Sequence, residues 1–513
     1  MRVRLASAVS AALLAAALPT YAQAEPEPRL NHTITAQTIT WSACADIPYP
    51  DLECGTFQAP FDWRKPDDGR TVTIAVSRLK SKDGVAKKGS ALTNPGGPGG
   101  PGRTLPLIYT GRAKLVDTME IIGIDPRGTG ASTNVTCGGF YWSSITDPRD
   151  RSRANTELLY DAAELQATAC QTRSGELGRV VNTEQTVRDL DLLRGLLGRE
   201  KISWIGYSGG SWMGAYYATY FPNRVDKFVL DSNTDFTSTF QDIFDNFGYG
   251  FERRFRTDFL PWAAKYDSVY HLGTTGEQVR QVYETTRAKL AANPLTLPDG
   301  SVVDGVRLDF VLIQAQYSKL LFQDAADSLA WLTQAVDSGV TALAQPPQAL
   351  TQYPDAQSAT LYAVTCNDTK FKHNRATLAA EAERLGRQYP LVGYYQTLAP
   401  CAFWNRPPLE LKKPTGKGVP PILMVQSVRD PATPLEGAQR AHRNFEGSRL
   451  LTVNDEGDHG VYGFGNPCVD DIVEAFIVDG KVPPRDLTCP GMPLPDPTAP
   501  AAATTPMLVG WPL

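Results

Sequence analysis

A chain of 513 residues is long enough for two or three structural units, and its 42% of hydrophobic residues can bury a large core. Charged residues make up 20%, which excludes a generally disordered chain. The net charge of -5 and the lack of a long basic block argue against nucleic acid as a partner.

The first 24 residues have the pattern of a signal peptide. Arg2 and Arg4 precede an apolar run over about residues 5–18, and Ala-Gln-Ala at 22–24 is the small-x-small pattern that signal peptidase cleaves. The apolar run is shorter than a bilayer span requires, and no basic stop-transfer cluster follows it. We therefore expect cleavage after Ala24, secretion into the extracellular space and no stable membrane insertion.

All eight cysteines lie beyond that segment, and disulfides are the default in an oxidising compartment. Pairing neighbours along the chain is the simplest of about a hundred possible connectivities. It gives Cys44–Cys54, Cys137–Cys170, Cys366–Cys401 and Cys468–Cys489. No Cys-x-x-Cys and no histidine cluster accompanies these residues, so we expect no metal.

Strand-like and helix-like segments alternate along the next part of the chain. Short apolar or β-branched runs predict strands, and residues 183–198 carry apolar side chains at helical spacing. The predicted strands are 71–76, 91–93, 119–124, 202–205 and 225–230, and a second helix is predicted over 211–220. Alternation with short connections implies a mostly parallel sheet covered by helices on both faces.

This pattern changes after about Asn233, where aromatic-rich, helix-like segments with few strand signals begin. Strand–helix alternation returns at 421–425 and again at 450–453. The end of the chain is rich in Pro, Ala and Thr and lacks periodicity, which predicts a poorly ordered tail. The predicted organisation is a signal peptide (1–24), a core in two parts (25–233 and 401–490), a mainly helical cap insertion (234–400) and a Pro/Ala-rich tail (491–513).

The sequence Gly-Tyr-Ser-Gly-Gly at 206–210 fits the Gly-x-Ser-x-Gly nucleophile elbow. It lies between a predicted strand and a predicted helix, where a sharp turn lifts the hydroxyl of Ser208 above the edge of the sheet. Ser211 is a rival nucleophile, but it lies a turn into the helix and no glycine stands at position 213. We therefore predict Ser208 as the nucleophile.

A serine hydroxyl needs a base, and the chain has five histidines. His459 lies in a loop after the last predicted strand, which is where a fold with a nucleophile elbow of this kind places its base. The other four lie in less suitable places: His32 in the N-terminal segment, His271 in the insertion, His373 among lysines and His442 in a polar helix-like stretch.

The third member of a triad should follow a strand between the serine and the histidine. Asp430 does so, and it would hold the tautomer of His459 and stabilise the imidazolium. Asp455 and Asp458 are rivals, but Asp458 adjoins the histidine and would struggle to turn back on its ring. The order Ser, Asp, His predicts an α/β-hydrolase fold, with a mostly parallel sheet flanked by helices and an inserted mainly helical cap.

The segment from Asn94 to Gly102 contains five glycines, and this density indicates a specific role. A phosphate-binding loop would need Gly-Lys-Ser/Thr before a helix, which is absent, and a flexible linker would not follow a strand directly. We predict an oxyanion loop, in which N–H groups of Gly96 or Gly97 act with that of Gly209 on the developing negative charge.

Together these segments resemble the secreted tripeptidyl aminopeptidases of actinobacteria, relatives of the prolyl aminopeptidases. The resemblance runs from about Trp41 to Cys489. It rests on Asn94–Gly99, Asp125–Gly130, the elbow at Ser208, Asp430–Pro434 and Asp458–Gly460, and Ala363–Asp368 also looks like a family element. The family often has a tyrosine after the nucleophile, where this chain has Gly209.

The resemblance implies release of short peptides, tripeptides above all, from a free N-terminus through an acyl-enzyme. A cap would close the cleft, and acidic groups there would bind the substrate ammonium ion. Asp368 is a candidate for that role, with a structural Asp beside a disulfide as the alternative. No metal or cofactor is implied, and we expect a monomer.

Two other functions fit the same residues. A secreted carboxylesterase would use the same triad, because the pocket and not the fold sets the substrate. A catalytically silent binding protein on this scaffold is the other, although the complete triad argues against it.

Overall fold

A computed structural model describes residues 32–140, 146–297, 300–338 and 354–499. The predicted signal peptide at 1–24 lies outside the described residues, as do the last residues of the tail, 500–513. Among the helices of the described ranges, none combines the length and apolar character that crossing a membrane requires.

A ten-stranded sheet forms the centre of the molecule, in the order β1-β2-β3-β5-β4-β6-β7-β10-β11-β12. Its strands are β1 (Ser42–Ala43), β2 (Leu52–Pro60), β3 (Thr71–Leu79), β4 (Ser90–Asn94), β5 (Glu120–Asp125), β6 (Ile202–Tyr207), β7 (Val225–Asp231), β10 (Leu423–Ser427), β11 (Arg449–Asn454) and β12 (Leu487–Pro490). A separate hairpin pairs β8 (Leu295–Thr296) with β9 (Val302–Val303). Pairing is antiparallel from β1 to β5 and parallel from β5 to β12.

The parallel strands confirm the predicted two-sided burial. Every residue of β4, β5, β6 and β10 is buried. Parallel strands covered by helices on both faces read as continuous apolar runs, which is why the sequence located them. The carboxyl ends of β6, β7, β10 and β11 meet at one edge of the sheet, and the loops that follow them build the site.

Sixteen α-helices lie in the described ranges. They are α1 (His32–Thr35), α2 (Ala113–Val116), α3 (Arg153–Arg179), α4 (Thr183–Leu196), α5 (Gly209–Tyr220), α6 (Phe240–Asp245), α7 (Phe247–Arg254), α8 (Leu260–Lys265), α9 (Asp267–Tyr270), α10 (Gly276–Ala292), α11 (Gly305–Ala315), α12 (Phe322–Ser338), α13 (Asp355–Asp368), α14 (Arg375–Gln388), α15 (Leu435–Asn444) and α16 (Pro467–Ile477). Short 3₁₀ helices cover Leu105–Tyr109, Pro222–Arg224, Lys319–Leu321 and Ala399–Phe403, and one π-helical turn covers Phe255–Phe259.

The described residues between β7 and β10 form helices α6 to α14 and the β8–β9 hairpin. This cap shares one continuous apolar core with the sheet, reaching from Ile205 of β6 to Phe259. Helix α3 lies in the first part of the predicted core, yet it packs against α13 of the cap. The cap is therefore packed onto the sheet domain as part of one core.

All four predicted disulfides are confirmed: Cys44–Cys54, Cys137–Cys170, Cys366–Cys401 and Cys468–Cys489. The third joins α13 to the 3₁₀ helix at 399–403 and so crosses the predicted end of the cap at residue 400.

The tail is tied down where the sequence predicted poor order. The N–H of Gly491 donates to the carbonyl of Asn454 at 2.6 Å. Further along, the indole N–H of Trp262 in the cap donates to the carbonyl of Pro495 at 2.7 Å. The expectation of a loose tail is therefore wrong for these residues, because backbone groups supply contacts that side-chain periodicity does not reveal.

Candidate active site

Ser208 lies on a strained turn between β6 and α5. Its φ is 54° and its ψ is -122°, a conformation that costs a non-glycine residue on the order of 1–3 kcal/mol. The N–H of Ser208 donates to the carbonyl of Asp231 at 3.0 Å, which holds the turn. A side chain at Gly206 would collide with the carbonyl of Gly210, so the elbow needs glycine at that position.

The glycine loop after β4 packs directly against this elbow. A Cβ at Gly96 would stand 2.6 Å from the backbone nitrogen of Gly209, and a Cβ at Gly209 would stand 3.1 Å from the backbone of Gly97. The N–H of Gly96 donates to the side-chain oxygen of Asn94 at 2.9 Å. That bond favours the N–H of Gly97 over that of Gly96 as the partner of Gly209 in an oxyanion hole.

Asp430 and His459 lie on adjacent loops, after β10 and β11, and form a hydrogen-bonded pair. The Nδ1 atom of His459 lies 2.9 Å and 3.0 Å from the two carboxylate oxygens of Asp430, and both side chains are fully buried. An Nδ1–H that donates to the carboxylate leaves Nε2 as the nitrogen able to accept a proton. The Asp430 carboxylate thus fixes the orientation of the His459 ring.

Thr433 supports the pair and was not singled out by the sequence. Its N–H donates to Oδ1 of Asp430 at 2.8 Å, and its hydroxyl lies 3.4 Å from Nδ1 of His459. The N–H of Ala432 donates to the same carboxylate oxygen at 3.0 Å. A short turn after the aspartate was the available signal, because Asp in such turns accepts backbone N–H groups.

Asp231 and Ser232 were also missed. Asp231 ends β7, and its carboxylate accepts the N–H groups of Val461 at 3.1 Å and Tyr462 at 2.8 Å. The hydroxyl of Ser232 accepts the N–H of Gly460 at 2.6 Å. Burial raises the pKa of Asp231 to about 7, although the two N–H groups act in the opposite direction. These two residues fix the backbone that follows His459.

The rival residues have other partners. The hydroxyl of Ser211 donates to the carbonyl of Ser208 at 2.5 Å and accepts the N–H of Thr234 at 3.0 Å. The carboxylate of Asp458 accepts the N–H of Lys319 in the cap at 2.7 Å. Asp455 is exposed to 95%. The geometry thus favours Ser208 and Asp430 over these alternatives.

Asp368 is the last residue of α13, and its buried carboxylate contacts the N-terminus of α4. It is 3% exposed, and its carboxylate accepts the N–H and the hydroxyl of Thr183 at 2.9 Å and 2.5 Å. Burial raises the pKa of Asp368 to about 7. These contacts favour the structural alternative, and its role in binding a substrate ammonium ion stays a prediction without geometric support.

A strand–elbow–helix nucleophile, with later strands that present an aspartate and a histidine beyond a helical insertion, defines the α/β-hydrolase fold. The protein is a serine hydrolase. A family model described as "TAP-like protein" matches residues 389–489, which include Asp430 and His459. The chain is 34% identical over 473 residues to a tripeptidyl aminopeptidase of Streptomyces lividans, covering 88% of this chain and 86% of that one. It belongs to the TAP-like family, which the tripeptidyl aminopeptidases represent.

Two further relatives extend along nearly the whole chain. Serine protease Hip1 of Mycobacterium tuberculosis strain H37Rv is 27% identical over 502 residues, covering 90% of this chain and 92% of its own. Carboxylesterase B of Mycobacterium tuberculosis strain CDC 1551 is 27% identical over 508 residues, covering 92% of this chain and 95% of its own. The family therefore includes proteins named as peptidases and a protein named as an esterase.

Proposed function

We propose that the protein is a secreted serine exopeptidase that releases short peptides, chiefly tripeptides, from free N-termini. The hydrogen bond between His459 and Asp430 is the observation that carries the chemistry, and the strained elbow at Ser208 supports it. The tripeptidyl aminopeptidase relative supports the substrate class. Four disulfides support export, because such bonds persist in oxidising compartments.

In the proposed mechanism the hydroxyl oxygen of Ser208 attacks the scissile carbonyl, and Nε2 of His459 takes the proton. Asp430 holds the imidazole and stabilises its charged form. The N–H groups of Gly97 and Gly209 stabilise the oxyanion of the tetrahedral intermediate. His459 then returns the proton to the leaving amine, and water, activated by the same histidine, hydrolyses the acyl-enzyme.

The test uses the mature protein from Glu25 and a chromogenic tripeptide amide, with a free or an N-acetylated amino terminus. The exopeptidase proposal predicts hydrolysis of the free amine and at least tenfold slower hydrolysis of the acetylated form, because a charged terminus must be recognised. Ser208→Ala should abolish both. Equal rates on the two substrates would rule out recognition of the N-terminus.

A carboxylesterase is the second candidate, because one relative that covers most of the chain is named Carboxylesterase B. A short-chain nitrophenyl ester distinguishes the two. Ester hydrolysis without any amide hydrolysis would keep Ser208 as the nucleophile and assign the esterase activity instead.

A further inference from the structure

A buried group of charged side chains joins the cap to the loop that carries His459. The ammonium group of Lys319, which follows α11, lies 2.6 Å from the carboxylate of Glu456. It also lies 3.3 Å from the carboxylate of Asp458, which pairs in addition with the guanidinium of Arg254 at the end of α7. The side chains of Lys319, Glu456 and Arg254 are 9%, 2% and 0% exposed. We call Arg254, Lys319, Glu456 and Asp458 the cap–loop cluster.

Glu456 is the centre of this cluster because its carboxylate accepts four donors. One oxygen accepts the N–H groups of Gly457 at 2.8 Å and Asp458 at 3.0 Å. The other accepts Lys319 and the N–H of Met492 at 3.1 Å. The carboxylate therefore shapes the backbone one to three residues before His459, and Lys319 is the cation that balances its buried charge.

The cap also contacts the histidine itself. The N–H of His459 donates to the carbonyl of Tyr317 at 2.9 Å, and the Tyr317 ring stands edge-on to the imidazole with ring centres 5.4 Å apart. Tyr317 and Lys319 lie on the same turn of the cap, two residues apart. One short segment of the cap thus fixes both the backbone nitrogen of His459 and the loop that leads to it.

The loop that carries Asp430 is held by the cap in a similar way. Arg429, next to Asp430, forms an ion pair of 2.7 Å with Asp258 of the cap. The cap also packs closely on the histidine loop at Gly457, where an added Cβ would lie 2.7 Å from the Asp258 carboxylate. Separating the cap from the sheet would therefore break the contacts that orient both the acid and the base.

We propose that Lys319 is a positioning residue for His459, acting with Arg254 through Glu456 and Asp458. The proposal rests on the proposed function, in which His459 is the general base. The cap is then a fixed part of the catalytic centre. Displacing a catalytic group by about 1 Å can cost on the order of a hundredfold in rate, which makes the cluster a determinant of turnover.

The charges around His459 give the test a sign. The imidazole interacts with Asp430 and Asp231 of the sheet domain, and the loop that carries it holds Asp458 and Glu456, which pair with Arg254 and Lys319 of the cap. Lys319→Met leaves the buried Glu456 carboxylate without its cation, and this added negative charge favours the protonated imidazole. The acid limb of kcat/KM should then move to higher pH.

Asp458→Asn should act in the opposite direction. It removes the negative charge that adjoins His459 and pairs with Arg254, which disfavours the protonated imidazole and moves the acid limb to lower pH. Asparagine keeps the size of the side chain and an oxygen able to accept the Lys319 N–H. Opposite shifts from two changes in one cluster are not expected of residues that only stabilise the fold.

The experiment measures kcat, KM and pH profiles on a nitrophenyl ester and on the tripeptide amide, with active sites titrated by a fluorophosphonate. Lys319→Met should lower kcat per titrated site about tenfold or more, with KM changed less than twofold. Lys319→Arg should recover part of the loss because it keeps the charge. The control is Lys289→Met, an exposed lysine of α10 paired with Asp337, which should behave as the parent protein.

Unchanged kcat per site and an unmoved acid limb in Lys319→Met would overturn the proposal. If that variant does not fold, Asp458→Asn decides, and an acid limb that stays in place or moves upward overturns it. Ser208→Ala and His459→Ala test the proposed function separately from the positioning role of Lys319. Turnover close to the parent rate in these variants would refute the proposed function, whereas a large loss in them beside a normal Lys319→Met refutes only the positioning role.

Discussion

The carboxylate of Asp231 at the end of β7 accepts the N–H of Tyr462 at 2.8 Å, three residues beyond His459. The carbonyl of the same aspartate accepts the N–H of Ser208 at 3.0 Å. One fully buried residue therefore connects the nucleophile elbow with the histidine loop.

Because of Asp231, the free energy of unfolding should fall as the pH rises from 4 to 7. Burial raises its pKa from an ordinary 3.8 to about 7, so the folded state holds the proton more tightly than the unfolded state. The resulting stabilisation is complete below the unfolded pKa and is lost as the pH rises through the folded one, by up to about 4 kcal/mol. Asp231→Asn should remove this slope, as measured by urea unfolding across that range.

The control for that slope is Asp83→Asn. Desolvation acts in the opposite direction, but backbone N–H groups beginning with that of Val85 lower the pKa of Asp83 to about 2. Its stabilisation is present above the unfolded pKa and is lost only as the pH falls toward 2. The slope between pH 4 and pH 7 should therefore match the parent protein, and an unchanged slope in Asp231→Asn would contradict the assignment.

The sheet and the turn at Ser208 could be predicted because they have local signals. Continuous apolar runs predicted β5, β6 and β7 to within about two residues, and glycines on both sides of Ser208 predicted the elbow. Helix α3 was not predicted, because its buried face mixes alanines such as Ala162 and Ala163 with polar residues such as Asn155 and Gln166, which gives little hydrophobic contrast.

The surroundings of the site could not be predicted from local patterns. Lys319 and Glu456 are 137 positions apart in the sequence, and nothing near either residue indicates the other. In the sequence, Asp231 is recognisable only as the end of a strand, because the loop whose N–H groups it accepts lies far along the chain. Long-range packing decides which polar residues meet, so the triad could be proposed from sequence while its supports could not.

Gly209→Ala should slow catalysis by moving the donors of the oxyanion hole. The added Cβ would stand 3.1 Å from the Gly97 backbone, so the glycine loop must shift by a few tenths of an ångström. We expect kcat to fall about tenfold or more with KM nearly constant, since these donors act mainly in the transition state. Steady-state kinetics on the tripeptide amide measures it.

The matched control is Gly195→Ala in α4, where a Cβ would meet nothing within 4 Å. Activity should be unchanged, and stability should rise by roughly 0.5–1 kcal/mol because alanine favours the helix. An unaffected kcat in Gly209→Ala would argue against an oxyanion role for this contact.

Arg127→Met should destabilise the fold strongly. The guanidinium lies 2.7 Å and 2.6 Å from the two carboxylate oxygens of Asp189, and both side chains are fully buried. Removing one partner leaves a buried charge unpaired, at a cost of about 3–5 kcal/mol in unfolding free energy. Chemical denaturation measures the loss, and Arg127→Met with Asp189→Leu should be less destabilised than Arg127→Met alone.

An exposed ion pair provides the comparison. Arg153 and Glu157 lie 2.8 Å apart on the surface of α3, with side chains 91% and 55% exposed. Arg153→Met should leave the free energy of unfolding nearly unchanged, because solvent screens such pairs. A similar cost for both arginine variants would mean that burial does not set the strength of the Arg127 pair.

Asp430→Asn should nearly abolish turnover while leaving the fold intact. The amide group can donate to Nδ1 of His459, which would place the proton on the wrong nitrogen for accepting that of Ser208. Losing the correct tautomer in a triad lowers kcat by about 10⁴. Kinetics on the nitrophenyl ester, with circular dichroism as the check on folding, measures the effect.

Asp455→Asn distinguishes the triad acid from a nearby rival. Asp455 is 95% exposed and has a φ of 55°, a conformation that asparagine adopts readily. We expect activity within twofold of the parent protein. Of the two aspartates, Asp430 is the one that bonds to His459, at 2.9 Å and 3.0 Å. An equal loss of turnover in Asp455→Asn and Asp430→Asn would therefore contradict Asp430 as the residue that orients His459.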